Sequence, residues 1–184
     1  MVRKLTGMPD EYFAGWREWH RDLVRMGGGM FADIGSHVVD LALWLAGAPP
    51  VEVTALSETA GLPVECFMNV QARLANGALL SLTSVDVPMP NMLESKQLLM
   101  IAGDQGVLIV NTTGEVWVYG RSIKEKIEAA LPDTTPEDVF VSAAIQGESD
   151  LSPAREGAYT VALIEAAYRS AVEGHVIQIL LPRH

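Results

Sequence analysis

Residues 27–47 read GGGMFADIGSHVVDLALWLAG, an apolar run that carries two ionisable side chains, Asp33 and His37, four residues apart. Apolar residues recur at helical spacing through Ile34, Val38, Leu41 and Leu45. That spacing predicts a helix from Met30 to Ala46 with this stripe turned toward a core. Gly47 supplies the stop, and Pro49 with Pro50 reinforces it. A second stripe, Asp33, His37, Asp40 and Trp44, stacks on another side of the same helix.

Spacing alone leaves two readings of the pair open. An aspartate near a helix start complements the macrodipole, and an Asp–His pair one turn apart on a surface adds about 0.2–0.5 kcal/mol. In the other reading, Asp33 holds His37 in one tautomer and stabilises its protonated form, as a general acid–base histidine requires. The triplet Gly27–Gly29 permits close backbone approach or positive φ. Gly35 and Ser36 are poor helix-interior residues, which favours a site over a helix built for stability. A metal reading would draw on Asp33, His37, Asp40 and His20. The sequence has no HExxH pattern, second cysteine or close histidine pair, so no metal is expected.

The 184 residues are 49% hydrophobic and 20% charged, which reads as a single domain over residues 1–184. A chain of that length buries about 70% of its unfolded surface. Thirteen basic residues against 23 acidic ones give a net charge of -10, which excludes nucleic acid as a partner because no positive patch is available for phosphates. The densest basic stretch, Arg121 to Lys126, is broken by Ser122, Ile123 and Glu125 and reads as a solvated helix face. Cys66 is the only cysteine, so no internal disulfide forms, and its place in a strand reads as a buried small hydrophobe. Residues 1–20 lack the apolar core of a signal peptide, and no uncharged apolar run reaches the roughly 18 residues of a membrane span. A soluble, cytoplasmic protein without membrane contact is the expectation.

Upstream of the glycines, residues 1–26 mix aromatic and charged side chains, with a short helix expected over Glu18 to Arg25. After residue 50 the period changes to two. Strands are predicted at 51–57, 66–74, 78–85, 97–103, 107–111 and 115–120, with Asn76-Gly77 as a hairpin turn. Helical character returns between Pro136 and Gln146 and again over 154–174, where Val161, Ile164, Ala167, Tyr168 and Ala171 share a face. A last strand covers 176–181. Short connections make neighbouring strands antiparallel. The order predicts an α+β fold: an open, largely antiparallel β-sheet with helices packed on one face. Its other face then needs a cover, a second chain or domain.

The opening stretch, preceded by Trp16-Arg17, resembles the substrate-domain signature of the Gfo/Idh/MocA oxidoreductases, the family of glucose–fructose oxidoreductase and inositol dehydrogenase. The match runs through the glycines, Asp33, Gly35, His37, Asp40 and the Trp44-Leu45-Ala46-Gly47 ending. The Asn76-Gly77 hairpin, the Gly103 to Gly106 turn and AAYRSAVEGHVIQI follow in order. The resemblance implies the α+β second domain of an NAD- or NADP-dependent dehydrogenase of a sugar, polyol or related small molecule. In that family an N-terminal Rossmann domain holds the cofactor, and the open sheet face joins subunits into a homo-oligomer, here a dimer. The resemblance makes Asp33 and His37 catalytic, with His37 accepting the substrate hydroxyl proton and Asp33 orienting it. Trp16, Arg17, Ser36 and Asp40 would line the substrate.

One departure matters. The chain holds no GxGxxG after a strand and no Glu-Lys-Pro, the motif that brings the family's catalytic lysine. It therefore reads as the second domain without its Rossmann partner, and by itself is expected neither to bind NAD(P) well nor to turn over. Two other functions compete: a non-catalytic dimerisation module derived from the family, and a metal enzyme using Asp33, His37 and His20. His20 and His175 otherwise read as surface residues, and Trp44 as core.

Overall fold

The structure, a computed structural model, describes residues 15–85, 98–111, 115–128, 135–146 and 154–181. It bears out the α+β reading with antiparallel strands, and distributes those strands over two four-stranded sheets. The chain divides into two compact units, residues 1–88 with 149–184 and residues 89–148.

In the first unit a 3-10 turn, Gly15–Arg21, leads into the short helices α1 (Leu23–Met26) and α2 (Met30–Asp33), then α3 (Gly35–Ala46). Asp22 caps α1 by accepting from the amides of Val24 and Arg25, and Gly27 closes it at φ 70°. The single helix expected over 30–46 is broken at Ile34, and the chain turns by 52° between Leu23–Asp33 and Gly35–Ala46. Gly47, at φ 62°, ends α3 by donating to the carbonyls of Leu43 and Trp44.

Strands β1 (Pro50–Glu58), β2 (Phe67–Leu74) and β3 (Leu79–Val85) form a meander, joined at its β1 edge by β8 (Ile177–Gln178) in the order β3-β2-β1-β8. Pairings Val53↔Ala72 and Val70↔Leu82 place Val53, Ala55, Met68, Val70, Ala72, Leu74 and Leu82 on the buried face. That face packs on α2, α3 and α5 (Ala154–Glu173) through Phe31, Val39, Ala42, Leu43, Leu163, Ile164, Ala166 and Ala167. The opposite face is a polar lattice: Asn69 donates to Thr83, Gln71 to Ser81, and Arg73 and Gln178 to Glu52. Because β8 is only two residues long, the Ala55 amide lies beyond it and is taken by the buried Ser170 hydroxyl at 3.0 Å.

Two stripe assignments change. The expected core stripe of α3 is not its buried side: Ile34, Leu41 and Leu45 are exposed, and Phe31, Gly35, Val39, Ala42 and Leu43 face the core. The helix is rotated because Gly35 lets the Phe31 ring lie against its backbone; a Cβ there would sit 2.4 Å from Phe31 Cδ2. On α5, Val161 faces solvent, whereas Thr160, Leu163 and Ser170 join the buried face.

The second unit holds β4 (Leu98–Gly103), β5 (Gly106–Asn111), β6 (Val116–Tyr119), β7 (Lys124–Ile127) and α4 (Pro136–Gln146). Its sheet is an antiparallel meander in the order β4-β5-β6-β7. The Arg121–Lys126 stretch, expected as a solvated helix face, contributes to strand β7 instead. Charges on both of its faces hide the period-two signal, and a charged strand suits a sheet edge. Lys124 lies over the Trp117 and Tyr119 rings, and Lys126 pairs with Glu115 at 2.6 Å. Among the described residues of this unit none is fully buried.

Leu163 is completely buried between α5 and β-sheet residues of the first unit. Leu163→Ala is expected to lower unfolding stability by about 2–5 kcal/mol in a urea titration, the range for a large-to-small core change.

Candidate functional site

The glycine triplet ends where two side chains from distant parts of the chain close on it. Glu65, just ahead of β2, and Tyr168, on α5, meet at 2.7 Å, with the tyrosine hydroxyl donating to Glu65 Oε1. The Phe31 amide donates to the same Oε1 at 2.7 Å. The amides of Gly29 and Ala32 donate to the Tyr168 hydroxyl at 2.8 and 3.0 Å. Amides at the start of α2, which a helix leaves without intrahelical acceptors, are thus satisfied by a tertiary clasp. Glu65 is buried, at 6% exposure, and its charge lies where helix amides point.

This arrangement explains the glycines. A Cβ on Gly29 would fall 1.5 Å from Glu65 Oε2, and one on Gly28, itself at φ 154°, would fall 2.7 Å from the Tyr168 ring. The close approach expected of the triplet is made to Glu65 and Tyr168. Burial, then the Glu65 charge and the hydrogen bond to it, push the Tyr168 phenol above its ordinary range, against the opposing pull of the Gly29 and Ala32 amides.

Asp33, at the end of α2, is half-exposed, and its Oδ2 lies 3.1 Å from His20 Nε2. His20 reads from sequence as a surface residue; in the structure it is buried, at 6% exposure, and packs on the Trp19 ring with centroids 4.0 Å apart. The orienting bond from Asp33 to His37 is corrected accordingly: Asp33 pairs with His20, and His37 stands exposed on the first turn of α3. The break at Ile34 separates the acid from the histidine that follows it.

The remaining candidates separate. Ser36 commits its hydroxyl hydrogen to the Asp33 carbonyl at 2.6 Å, stitching α2 to α3 across the break. With Gly35 packed on Phe31, both of these poor helix formers have structural reasons to be there. Asp40 is half-buried and accepts from Thr160 at 3.0 Å, which ties α3 to α5. Trp44, read as core, is 58% exposed and borders a groove with Asp40, Arg155, Glu156 and Tyr159. Trp16 and Arg17 lie on the 3-10 turn, with their side chains outside the described residues. Among the described residues no three His, Cys, Asp or Glu side chains gather to hold a metal, so the set Asp33, His37 and His20 is not assembled.

Sequence reasoning missed Glu65 and Tyr168 as members of this region, and placed His20 beside Asp33 only in the metal reading. Tyr168 carried a signal, since a tyrosine on a buried helical face needs a partner for its hydroxyl. Glu65, an acid between Val64 and Cys66, carried another. Neither signal named the partner.

The clasp also bears on a dinucleotide. A glycine-rich turn into a helix is the usual cradle for a pyrophosphate. Here the amides already have acceptors and an acid fills the space, so the turn does not fit a phosphate.

Solved structures similar to this chain include several oxidoreductases. They include a putative oxidoreductase from Thermotoga maritima (20% identity, TM-score 0.75, covering 90% of this chain and 51% of that one). Aldose-aldose oxidoreductase from Caulobacter crescentus, complexed with glycerol, gives 20% identity, TM-score 0.73 and coverage of 88% and 50%. The WlbA dehydrogenase from Bordetella pertussis, in complex with NADH and UDP-GlcNAcA, gives 27%, 0.66, 96% and 53%. The chain thus spans about half the length of these structures. No curated protein matches it. The family model for the GFO/IDH/MocA C-terminal domain matches residues 2–109, and the chain belongs to that family of oxidoreductases.

Because the folded state favours the protonated Tyr168, its contribution to stability is complete below the ordinary tyrosine pKa of about 10 and is lost as pH rises toward the higher folded value. The wild-type chain should therefore lose stability above pH ~10. Tyr168→Phe should show a shallower alkaline limb in urea titrations. At neutral pH it should be less stable by about 1–3 kcal/mol for each amide left without an acceptor.

Proposed function

We propose that this chain is the substrate-side domain of an NAD(P)-dependent oxidoreductase acting on a hydroxyl or carbonyl carbon of a sugar, polyol or related small molecule. The observation that carries the reading is His37, exposed on the first turn of α3 within the family-matched segment, just after the Asp33–His20 pair. Similar solved structures carry glycerol or UDP-GlcNAcA, and one carries NADH, which supports the substrate and cofactor classes.

In this reading a nicotinamide, held by a separate N-terminal Rossmann domain, supplies the redox chemistry. This chain supplies the proton chemistry. His37 takes the substrate hydroxyl proton as the alcohol becomes a carbonyl, and returns it in the reverse direction. Asp33 is the acid that the family resemblance pairs with this histidine, and its own geometry is set by His20. Ile34, Leu41 and Leu45, the exposed apolar side chains flanking His37 on α3, suit coverage by that Rossmann domain. The open sheet face remains our proposed contact for a homo-oligomer.

In the two-domain protein, His37→Ala should lower kcat by about 10²–10⁴-fold, and His37→Gln should fall with it because the amide cannot take the proton. Near-normal initial rates on polyols or sugars with either variant would reject the role. Titration calorimetry of this chain alone with NAD⁺ or NADP⁺ is expected to give no saturable heat. A tight, stoichiometric isotherm would sink the division of labour.

A further inference from the structure

Helix α2 is held at its start by a clasp that fixes three amides to Glu65 and Tyr168. The Asp33 amide continues the turn by donating to the Gly29 carbonyl at 3.3 Å, and the Ser36 hydroxyl fixes the Asp33 carbonyl at 2.6 Å. The backbone of Asp33 is therefore set on both sides, and the remaining freedom is in its side chain. That freedom is removed by His20, thirteen residues upstream, whose Nε2 meets Oδ2 at 3.1 Å. The imidazole is itself immobilised: it is buried, it packs on Trp19, and it belongs to a 3-10 turn joined to α1 through the Asp22 cap.

We propose that His20 is a positioning residue of the proposed active site, fixing the Asp33 carboxylate in one rotamer at the break that precedes α3. The inference rests on the proposed role of His37 and adds a second histidine with a different task. His37 is exposed and free to meet a substrate; His20 is buried and bonded to Asp33. A carboxylate that could swing would spend part of its time away from the position that His20 gives it. Small misplacements of this kind cost up to about 10²-fold in rate.

The test has two arms. On this chain alone, diethyl pyrocarbonate should modify the exposed His37 and His175 well before His20. Asp33→Ala should speed His20 modification several-fold while circular dichroism stays unchanged. Equal His20 protection with and without Asp33 would overturn the hold.

In the two-domain protein, His20→Leu should lower kcat by up to about 10²-fold with KM changed little. His20→Gln, which keeps a donor near the Nε2 position, should recover most of the rate. The double variant His20→Leu/Asp33→Ala should be no slower than Asp33→Ala alone, as expected of residues acting as one unit. Wild-type turnover in His20→Leu, or losses that add to those of Asp33→Ala, would overturn the proposal while leaving His37 untouched. Full activity in His37→Ala would instead reject the reading of the reaction, and the modification arm would still decide whether His20 holds Asp33. Should His20→Leu fail to fold, His20→Gln and the modification arm carry the decision.

Discussion

The bond between the Tyr168 hydroxyl and the Glu65 carboxylate is the constraint on which the functional end of this protein depends. Neither group could be buried alone: an isolated carboxylate or phenol in an apolar interior loses its water without compensation. Together with the amides of Gly29, Phe31 and Ala32 they form a closed set in which each donor has an acceptor. The set draws on three remote pieces of chain, the glycine turn, the segment ahead of β2 and the middle of α5. Only glycine fits at residues 28 and 29, because the clasp occupies the volume a side chain would take. A polar network of this kind specifies one arrangement of its helices, since a half-made version costs more than none.

From that anchor the orientation of α3 follows. The clasp sets the direction of α2, Phe31 packs on Gly35, and the chain bends by 52° before α3 begins. Asp40 then meets Thr160 on α5, which fixes the rotation of α3 about its own axis. With Val39, Ala42 and Leu43 turned to the sheet, Ile34, His37, Leu41 and Leu45 are left facing out. Exposure of His37 is thus a consequence of how the core side was chosen.

Much of this was legible in the residues. Alternation marked β1 to β6, Asn76-Gly77 marked a hairpin, and the glycine and proline stops marked the end of α3, because each of these signals is local. The face of α3 was misassigned for a physical reason. Ile34, Val38, Leu41 and Leu45 form as good an apolar stripe as the buried one, and periodicity cannot rank two stripes on a helix that is apolar nearly all round. The buried set includes Gly35 and Ala42, small residues that hydropathy undervalues but that let α3 approach its neighbours closely. The partner of Asp33 was misassigned because i, i+4 spacing assumes an unbroken helix, and the break at Ile34 removes that premise. The basic stretch that runs into β7 failed differently, since an edge strand with charges on both faces has no period to read.

The acidic clasp also bears on how labour is divided in an enzyme of this family. A glycine turn feeding a helix start offers amides and a positive dipole end, the features that attract a phosphate. Here the amides serve Glu65 and Tyr168 instead, and a buried carboxylate repels any anion that approaches. The glycine turn holds the helix that carries Asp33, and α3 with His37 follows after the bend. A glycine turn whose amides are already bonded to Glu65 and Tyr168 is not available as a nucleotide cradle. In the division of labour proposed above, cofactor binding would fall to a separate domain, and the placing of Asp33 and His37 is set by contacts inside this chain.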